Sequence, residues 1–153
     1  MKNNNNLITK NKKAFFDYEI IDSWEAGIEL KWYETKSVRH WHVNLKGAFL
    51  SIVNGELYMK SMHITAWKAL ANKSVIETDR ARKIFLHKKT IDYLHVKSKE
   101  WGYTIIPTEL YFKWSLIKVR IALAKWKKAH QKKQVLKERA MDKAAKVAMK
   151  KYI

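Results

Sequence analysis

Residues 121–139 read IALAKWKKAHQKKQVLKER, and within this stretch an apolar, strand-like run gives way to a lysine-rich segment. Before it, apolar and polar residues alternate over short distances, as they do in half-buried β-strands. After it, lysines dominate and acidic side chains occur only at Glu138 and Asp142. The sequence therefore predicts a folded body followed by a basic tail, joined within residues 121–139.

The composition is strongly basic, with 32 Lys+Arg against 14 Asp+Glu and a formal net charge of +18 in 153 residues. Such an excess requires an anionic partner, and nucleic acid is the first candidate. No apolar run approaches the roughly 18 to 20 residues that span a bilayer, which argues against insertion into a membrane. The chain has no cysteine, and its first residues lack the apolar core of a signal peptide. We therefore expect a cytoplasmic protein without disulfides or thiol chemistry.

Short alternating segments predict an antiparallel β fold. The clearest hairpin is centred on Asn54-Gly55, the preferred pair for a type I′ turn. The spacing of Ile84, Phe85, Ile91 and Leu94 predicts a helix over residues 80–99. Further strands are predicted over residues 16–30, with a bend at Gly27, and over residues 103–107, 110–112 and 117–124.

These elements suggest a mainly β fold with accessory helices, an OB-like antiparallel β-barrel over residues 11–125. Residues 1–10 are asparagine-rich and are predicted to be a disordered leader. Residues 126–153 form the basic C-terminal tail, which is predicted to be disordered when free and helical when phosphates neutralise it.

The sequence lacks the common catalytic motifs. It contains no Gly-rich phosphate loop, no H-E-x-x-H and no G-x-S-x-G. His40 and His42 could chelate a metal, but no third ligand lies at a useful spacing. Lysines beside aromatic residues, as in Lys125-Trp126-Lys127, can instead contact phosphates and stack on bases; the alternative is that they are solvated faces and core residues. We expect a nucleic-acid-binding protein that is not an enzyme and holds neither metal nor cofactor.

A dozen short motifs follow one another in register over residues 11–150. Among them are Asn11-Lys-Lys-Ala14, Trp24-Glu-Ala-Gly-Ile28, Glu34-x-Lys36-Ser37-x-Arg39, Asn54-Gly-Glu56, Tyr111-Phe-Lys113 and Ile121-Ala-Leu-Ala-Lys125. In this order they resemble the SsrA-binding proteins, also called small protein B, the tmRNA partners in bacterial trans-translation. The resemblance implies an OB-like barrel that binds the tRNA-like part of tmRNA and a tail that enters the empty mRNA channel of a stalled ribosome.

The resemblance also assigns residues and partners. It implies tmRNA and the ribosome as partners of a monomer that rescues stalled ribosomes by mimicking a codon-anticodon match. By matching position, and with neighbouring basic residues included, the RNA contacts are assigned to Asn11, Glu25, Lys36, Arg39, Phe85, His87, Lys118, Lys125, Lys127 and Lys128. The tail residues assigned to the decoding centre are His130, Lys132, Lys133, Lys137 and Arg139.

Several alternatives remain open from the sequence. Glu25 could be a strand-edge carboxylate bonded to the backbone or to a lysine, and Phe85 could be a core residue. In the tail, Gln131 stands where the family has aspartate, and Met141 stands where it has an aromatic residue. The alternative function is that of a general single-stranded nucleic-acid-binding or ribosomal structural protein with an OB-like barrel.

Tryptophan and glycine are unusual in number, at 7 and 4 residues. Trp32, Trp41 and Trp126 occupy positions where the family resembled here carries glycine, and Trp114 lies in a turn. Our hypothesis is that the gene uses UGA for glycine and that the printed sequence renders these codons as tryptophan, with Trp101 as a candidate fifth site. The alternative is that they are genuine residues that stack on bases.

Overall fold

The computed structural model describes residues 6–67 and 76–150, except for the side chain of His130. The strands in these ranges are β1 (Leu7–Lys10), β2 (Tyr18–Ile28), β3 (Val43–Asn44), β4 (Phe49–Val53), β5 (Glu56–Lys60), β6 (His63–Ile64), β7 (Arg82–Phe85), β8 (Tyr103–Lys113) and β9 (Leu116–Trp126). The helices are α1 (Lys12–Asp17), α2 (Trp32–Arg39), α3 (Lys88–Ser98) and α4 (Ala129–Lys150). In the described ranges, no helix has the length and apolar character needed to cross a membrane.

The main sheet closes on itself. Its strands follow the order β8, β4, β5, β7, β2, β9, and β9 pairs again with β8, while β1 adds to the outer edge of β8. All these pairings are antiparallel. The prediction of a mainly antiparallel β fold with accessory helices and a basic C-terminal segment is therefore confirmed, and the strands form a ring.

The inside of the ring is filled by alternate residues of its strands. Leu57, Ile84, Leu110 and Val119 are each at most 1% exposed, and their neighbours along each strand are more exposed. This period of two places one face of the strands in the core. The other face is in solvent except where α1 covers β8 and β9, because Ala14 there packs with Ile106, Ala122 and Ala124. Helix α3 adds Leu94 to the same core. The outward face of the ring is thus free to carry polar and charged residues.

Two local predictions are confirmed by the strand pairing. Asn54 and Gly55 have φ values of 52° and 77°, as a type I′ turn requires, and they join β4 to β5 with Val53 opposite Glu56. The turn predicted after residue 112 joins β8 to β9, with Lys113 opposite Leu116. Both turns connect adjacent strands, so their signals lie within a few residues.

The helix predicted over residues 80–99 is wrong in its first half. Residues Arg82–Phe85 form β7, and helix α3 begins only at Lys88. Ile84 pairs with both Leu57 and Ile28, so β7 is held between two neighbouring strands. A short apolar run is compatible with both a helix and a strand, and here the pairing with two distant strands makes it a strand.

Three further boundaries differ from the predictions. Residues Leu7–Lys10 of the predicted leader form β1, paired with β8, while residues 1–5 lie outside the described part. Residues Lys12–Asp17 form helix α1, so the strand predicted from residue 16 begins at Tyr18. The strands predicted at 103–107 and 110–112 are one strand, β8, with an irregularity between Pro107 and Glu109. The loop predicted at 67–79 lies partly outside the described residues.

A buried ion-pair network fixes the start of β7. Glu34 of α2 and Arg82 are 3% and 0% exposed, and Arg82 Nε donates to Glu34 Oε2 at 2.6 Å. Arg82 also donates to the carbonyl oxygens of Met62 and Thr78, and Arg80 donates to Glu34. A buried arginine is tolerated because each of these groups has a partner. The network ties α2 to the strand that carries Phe85.

Two of the questioned tryptophans have backbone conformations that favour glycine. Trp41 has φ 60° and Trp114 has φ 55°, both in the left-handed region. Their side chains are 62% and 89% exposed, so packing does not explain the conformation. By contrast, Trp32, Trp101 and Trp126 are not among the described residues with positive φ. The glycine hypothesis therefore gains a physical reason at Trp41 and Trp114, and the codons test it: UGG at these sites would contradict it.

Replacing Trp41 or Trp114 with glycine is expected to stabilise the protein. A bulky residue held at positive φ destabilises the folded state by on the order of 1–3 kcal/mol, and glycine removes that strain. Glycine also increases the entropy of the unfolded chain, which offsets about 0.4–1 kcal/mol of the gain. We expect each change to raise the free energy of unfolding by about 1 kcal/mol, or the melting temperature by roughly 2–4 °C. The measurement is thermal unfolding followed by circular dichroism.

Trp101 is the matched control for this prediction. It is 93% exposed and lies outside the positive-φ set, so Trp101→Gly removes the same side chain without relieving strain. We expect no stabilisation there. Equal gains at Trp101 and Trp114 would show that the benefit comes from removing exposed apolar surface and not from the backbone.

Candidate nucleic-acid interface

A row of four residues crosses the outward face of the ring. Gly27 of β2 lies opposite both Phe85 of β7 and Lys118 of β9, and Lys118 lies opposite Tyr111 of β8. Residues paired across antiparallel strands project from the same face. We call Phe85, Gly27, Lys118 and Tyr111 the interface row. It presents the aromatic rings of Phe85 and Tyr111, the ammonium group of Lys118 and, at Gly27, backbone without a side chain.

The interface row borders a shallow concavity of about 330 Å³, lined by Glu25, Gly27, Phe85, Leu86, His87 and Lys118. Gly27 leaves its floor open, because a Cβ atom there would lie 3.4 Å from Phe85 Cβ and 3.9 Å from Lys118 Nζ. Phe85 is 51% exposed. An exposed ring beside an ammonium group can stack on a base while the lysine contacts a phosphate.

Glu25 lies in the next row of the same face, opposite Arg120 of β9. Tyr111 Oη donates to Glu25 Oε2 at 2.5 Å, and Lys113 Nζ donates to Glu25 Oε1 at 2.9 Å. These hydrogen bonds from Lys113 and Tyr111, with the nearby lysine charges, lower the pKa of the Glu25 carboxyl. Burial and the bond to Glu25 raise the pKa of Tyr111, which keeps its hydroxyl protonated as a donor. Glu25 is therefore an ionised acceptor.

Four residues assigned by the resemblance, Glu25, Phe85, His87 and Lys118, thus come together in space from β2, β7, β9 and the start of α3. His87 is exposed at the N-terminal end of α3, and its carbonyl oxygen accepts from the backbone N–H groups of Thr90 and Ile91. Phe85 faces solvent and is not a core residue. Glu25 accepts a hydrogen bond from a lysine, as the alternative interpretation of a strand-edge carboxylate predicted, and it also borders the open concavity.

Asn11 does not join this cluster. It is 5% exposed and caps α1, where its Oδ1 accepts from Ala14 N at 3.2 Å and its Nδ2 donates to Pro107 O at 3.0 Å. Its polar atoms are engaged within the body. These hydrogen bonds join α1 to β8, and the assignment of Asn11 as an RNA contact stays a prediction.

The other basic residues that were assigned as RNA contacts lie in two other places. On α2, Lys36 lies above the rings of Trp32 and Trp67, and Arg39 donates to Ser115 O in the turn between β8 and β9. At the end of β9, Lys125 lies above the Tyr103 ring, Lys127 donates to Phe15 O at 3.0 Å, and Lys128 is exposed. The structure does not bring them into the interface row.

The tail is helical in the structure, as α4, and its first turns contact α1. Lys132 Nζ lies 3.3 Å from Asp17 Oδ1 and 3.9 Å from the centre of the Trp126 ring. Arg139 lies above the Phe16 ring at 5.4 Å. Lys133 and Lys137 are exposed. His130 lies in α4, with its side chain outside the described atoms. Helix α1 and the end of β9 thus hold the beginning of α4 by one half-buried ion pair and two cation-π contacts.

Asp17→Asn is expected to loosen the tail. The change removes the charge that holds Lys132, and a partly buried ion pair of this kind contributes about 1 kcal/mol or less after solvent screening. We expect trypsin cleavage within residues 132–139 to become about threefold faster under native conditions. Glu19→Gln, which removes an exposed carboxylate from β2, is the matched control and is expected to leave the rate unchanged. Equal rates for all three proteins would contradict a role for Asp17.

The RNA contacts predicted from the sequence did not include Tyr111, Lys113 and Arg120, which share this face with Glu25 and Lys118. Arg120 lies 5.7 Å from the Tyr111 ring and 3.8 Å from Glu109. A signal for them existed, because the short turn predicted between β8 and β9 fixes the register. With Lys113 opposite Leu116, counting back by two places Tyr111 opposite Lys118 and on its face.

Comparison with known proteins gives consistent results. The family model described as SmpB protein matches residues 8–151. The SsrA-binding protein of a Nitratiruptor species is 44% identical over 147 residues, covering 95% of this chain and 98% of that protein. The SsrA-binding protein of Mycoplasma mycoides subsp. mycoides SC is 44% identical over 133 residues, 87% of this chain and 90% of that protein. A solved structure described as "tmRNA-SmpB: a journey to the center of the bacterial ribosome" has a TM-score of 0.66 and 37% identity, covering 79% of this chain and 85% of that one.

Proposed function

The chain belongs to the SmpB family of SsrA-binding proteins, and from this we propose that it binds the tRNA-like part of tmRNA and delivers it to stalled bacterial ribosomes for trans-translation. The observation that carries the proposal is the extent of the family match, because residues 8–151 include both the interface row and the tail. The protein acts by binding alone, without catalysis, and it works in the cytoplasm, where ribosomes stall.

Within this function, the body and the tail have separate tasks. The concavity beside the interface row receives the RNA: Lys118 contacts a phosphate, Phe85 offers its ring to an exposed base or sugar, and Glu25 accepts a hydrogen bond. The tail residues His130, Lys132, Lys133, Lys137 and Arg139 enter the empty mRNA channel, where the phosphates of ribosomal RNA neutralise their charge. Release from Asp17 precedes this step.

A competition experiment separates this function from general binding of single strands. The protein is bound to a labelled transcript of the tRNA-like part of tmRNA, and unlabelled competitors are added at equal length and salt. We expect the same transcript to displace the label, and an unstructured RNA to fail. Equal displacement by both RNAs would favour the alternative, a general single-stranded nucleic-acid-binding or ribosomal structural protein.

Lys118→Ala tests the proposed RNA surface. Loss of one phosphate contact is expected to weaken binding about three- to tenfold and to reduce the slope of log affinity against log salt by about 1. Lys97→Ala is the matched control, because Lys97 pairs with Glu100 near the opposite end of α3. It removes the same charge and is expected to change the affinity little. Equal effects of the two changes would show that net charge, and not this surface, determines binding.

A further inference from the structure

The hydrogen bonds to Glu25 come from a strand that is not its neighbour. Glu25 lies on β2 and pairs with Arg120 of β9, whereas Tyr111 and Lys113 lie on β8, beyond β9. Their side chains therefore reach across an intervening strand to the two oxygens of one carboxylate, at 2.5 and 2.9 Å. The guanidinium of Arg120 lies 5.7 Å from the centre of the Tyr111 ring and supports it from the same face.

These hydrogen bonds reduce two free-energy costs that a carboxylate has on an RNA-binding surface. A lone carboxylate would repel phosphates, but Lys113 neutralises it at close range. A free glutamate side chain would also lose rotamer freedom on binding, whereas one held at both oxygens has lost it in advance. Each carboxylate oxygen has two lone pairs, so one per oxygen remains for a donor of the RNA. The side chain is 34% exposed, which leaves room for that donor.

We propose that Tyr111 and Lys113 are positioning residues for RNA recognition, which hold the Glu25 carboxylate aimed outward to accept a hydrogen bond from a ribose hydroxyl or base amino group. The inference rests on the proposed function, because it takes the face with Glu25 and Lys118 as the RNA-binding surface. Beyond that function, we infer that RNA recognition on this face depends on the Glu25 carboxylate, which is bonded from β2 across β9 to β8, and that the Tyr111 hydroxyl acts through Glu25.

The test is a double-mutant cycle on binding to the transcript of the tRNA-like part of tmRNA. Glu25→Gln and Tyr111→Phe are each expected to weaken binding about three- to tenfold, the size of a lost or loosened hydrogen bond to a charged group. The double variant is expected to bind no more weakly than Glu25→Gln alone, because Tyr111 has no further effect once the carboxylate is gone. Tyr111→Phe is expected to leave the salt dependence unchanged, since it removes no phosphate contact.

Lys113 provides a second, independent test. Lys113→Met removes the donor and is expected to weaken binding, while Lys113→Arg retains a donor and a charge and is expected to bind within about twofold of the unmodified protein. The melting temperature of each variant is measured alongside. A purely structural role of Tyr111 and Lys113 would lower the melting temperature and leave the affinity unchanged, and that result would overturn the proposal.

The outcomes also separate this inference from the proposed function. Additive losses in the cycle would show that Tyr111 contacts the RNA itself, and they would overturn its role through Glu25. A loss for Lys118→Ala without any loss for Tyr111→Phe or Lys113→Met would leave the RNA surface in place and remove only the positioning role. Unchanged affinity for both Lys118→Ala and Glu25→Gln would contradict the surface, and the inference would fail with it.

Discussion

Deletion of residues 131–153 is expected to abolish tagging of stalled nascent chains while leaving the affinity for the tRNA-like part of tmRNA within about threefold of the full chain. The interface row and Glu25 lie on β2, β7, β8 and β9, all before residue 127. The contacts described for the tail are with α1 and Trp126 instead. The deletion therefore removes the segment that we propose enters the ribosome and spares the proposed RNA surface.

Two measurements check this expectation. Binding to the tRNA-like transcript is measured with unstructured competitor RNA present, because the deletion removes basic residues that add nonspecific, salt-dependent affinity. Tagging is measured with ribosomes stalled on a message that lacks a stop codon. Full-length Lys118→Ala is the reciprocal control, and it is expected to bind RNA weakly while retaining the tail. A deletion variant that loses RNA binding as severely as Lys118→Ala would contradict the division of labour.

Glu34→Ala is expected to produce the largest loss of stability from a single substitution. It leaves Arg82, which is 0% exposed, without its carboxylate partner. Removing one member of a buried ion pair costs about 3–5 kcal/mol, a large part of the roughly 5–15 kcal/mol that stabilises a typical domain. The expected fall in melting temperature is roughly 6–20 °C. Because the network holds the start of β7, binding of RNA to the proposed surface, which includes Phe85, should weaken as well.

Glu56→Ala is the matched control for this substitution. Glu56 pairs with Lys83 at 3.0 Å on the surface, and its side chain is 47% exposed. Exposed pairs contribute little, so the melting temperature is expected to stay nearly unchanged. Similar losses for Glu34→Ala and Glu56→Ala would show that the buried network has no special weight.

The same network predicts a pH dependence. Burial alone would raise the pKa of Glu34, but hydrogen bonds from Arg80 and the Lys31 backbone, together with the charge of Arg82, outweigh it and lower the pKa. A carboxyl whose folded-state pKa is lowered contributes stability above its ordinary pKa, and this contribution is lost as the pH falls through the folded-state value. The difference in stability between the unmodified protein and Glu34→Gln should therefore shrink as the solution becomes acidic.

The sequence alone determined the features that depend on neighbouring residues and on composition. The Asn54-Gly55 hairpin, the turn after Lys113 and the basic tail all follow from short segments, because turn chemistry and charge are local properties. The ordered motifs identified the family, and through the family they predicted Glu25, Phe85, His87 and Lys118 as RNA contacts. The sequence has many tryptophans, some at positions where the family carries glycine, and this led to the hypothesis that they stand for glycine. The positive φ values at Trp41 and Trp114 support that hypothesis at these two sites.

The tertiary structure decided what depends on strands that are distant in the chain. Residues Arg82–Phe85 are a strand because β2 and β5 flank them, and the Asn11 side chain is held against β8 because its amide donates to Pro107 O. The interface row exists only after ring closure places β7, β2, β9 and β8 side by side. Apolar periodicity in one segment cannot specify which strand will lie beside it, whereas the closed ring of hydrogen bonds fixes both neighbour and register. That is why the hydrogen bond between Tyr111 and Glu25, which lie far apart in sequence, could be identified only in the folded chain.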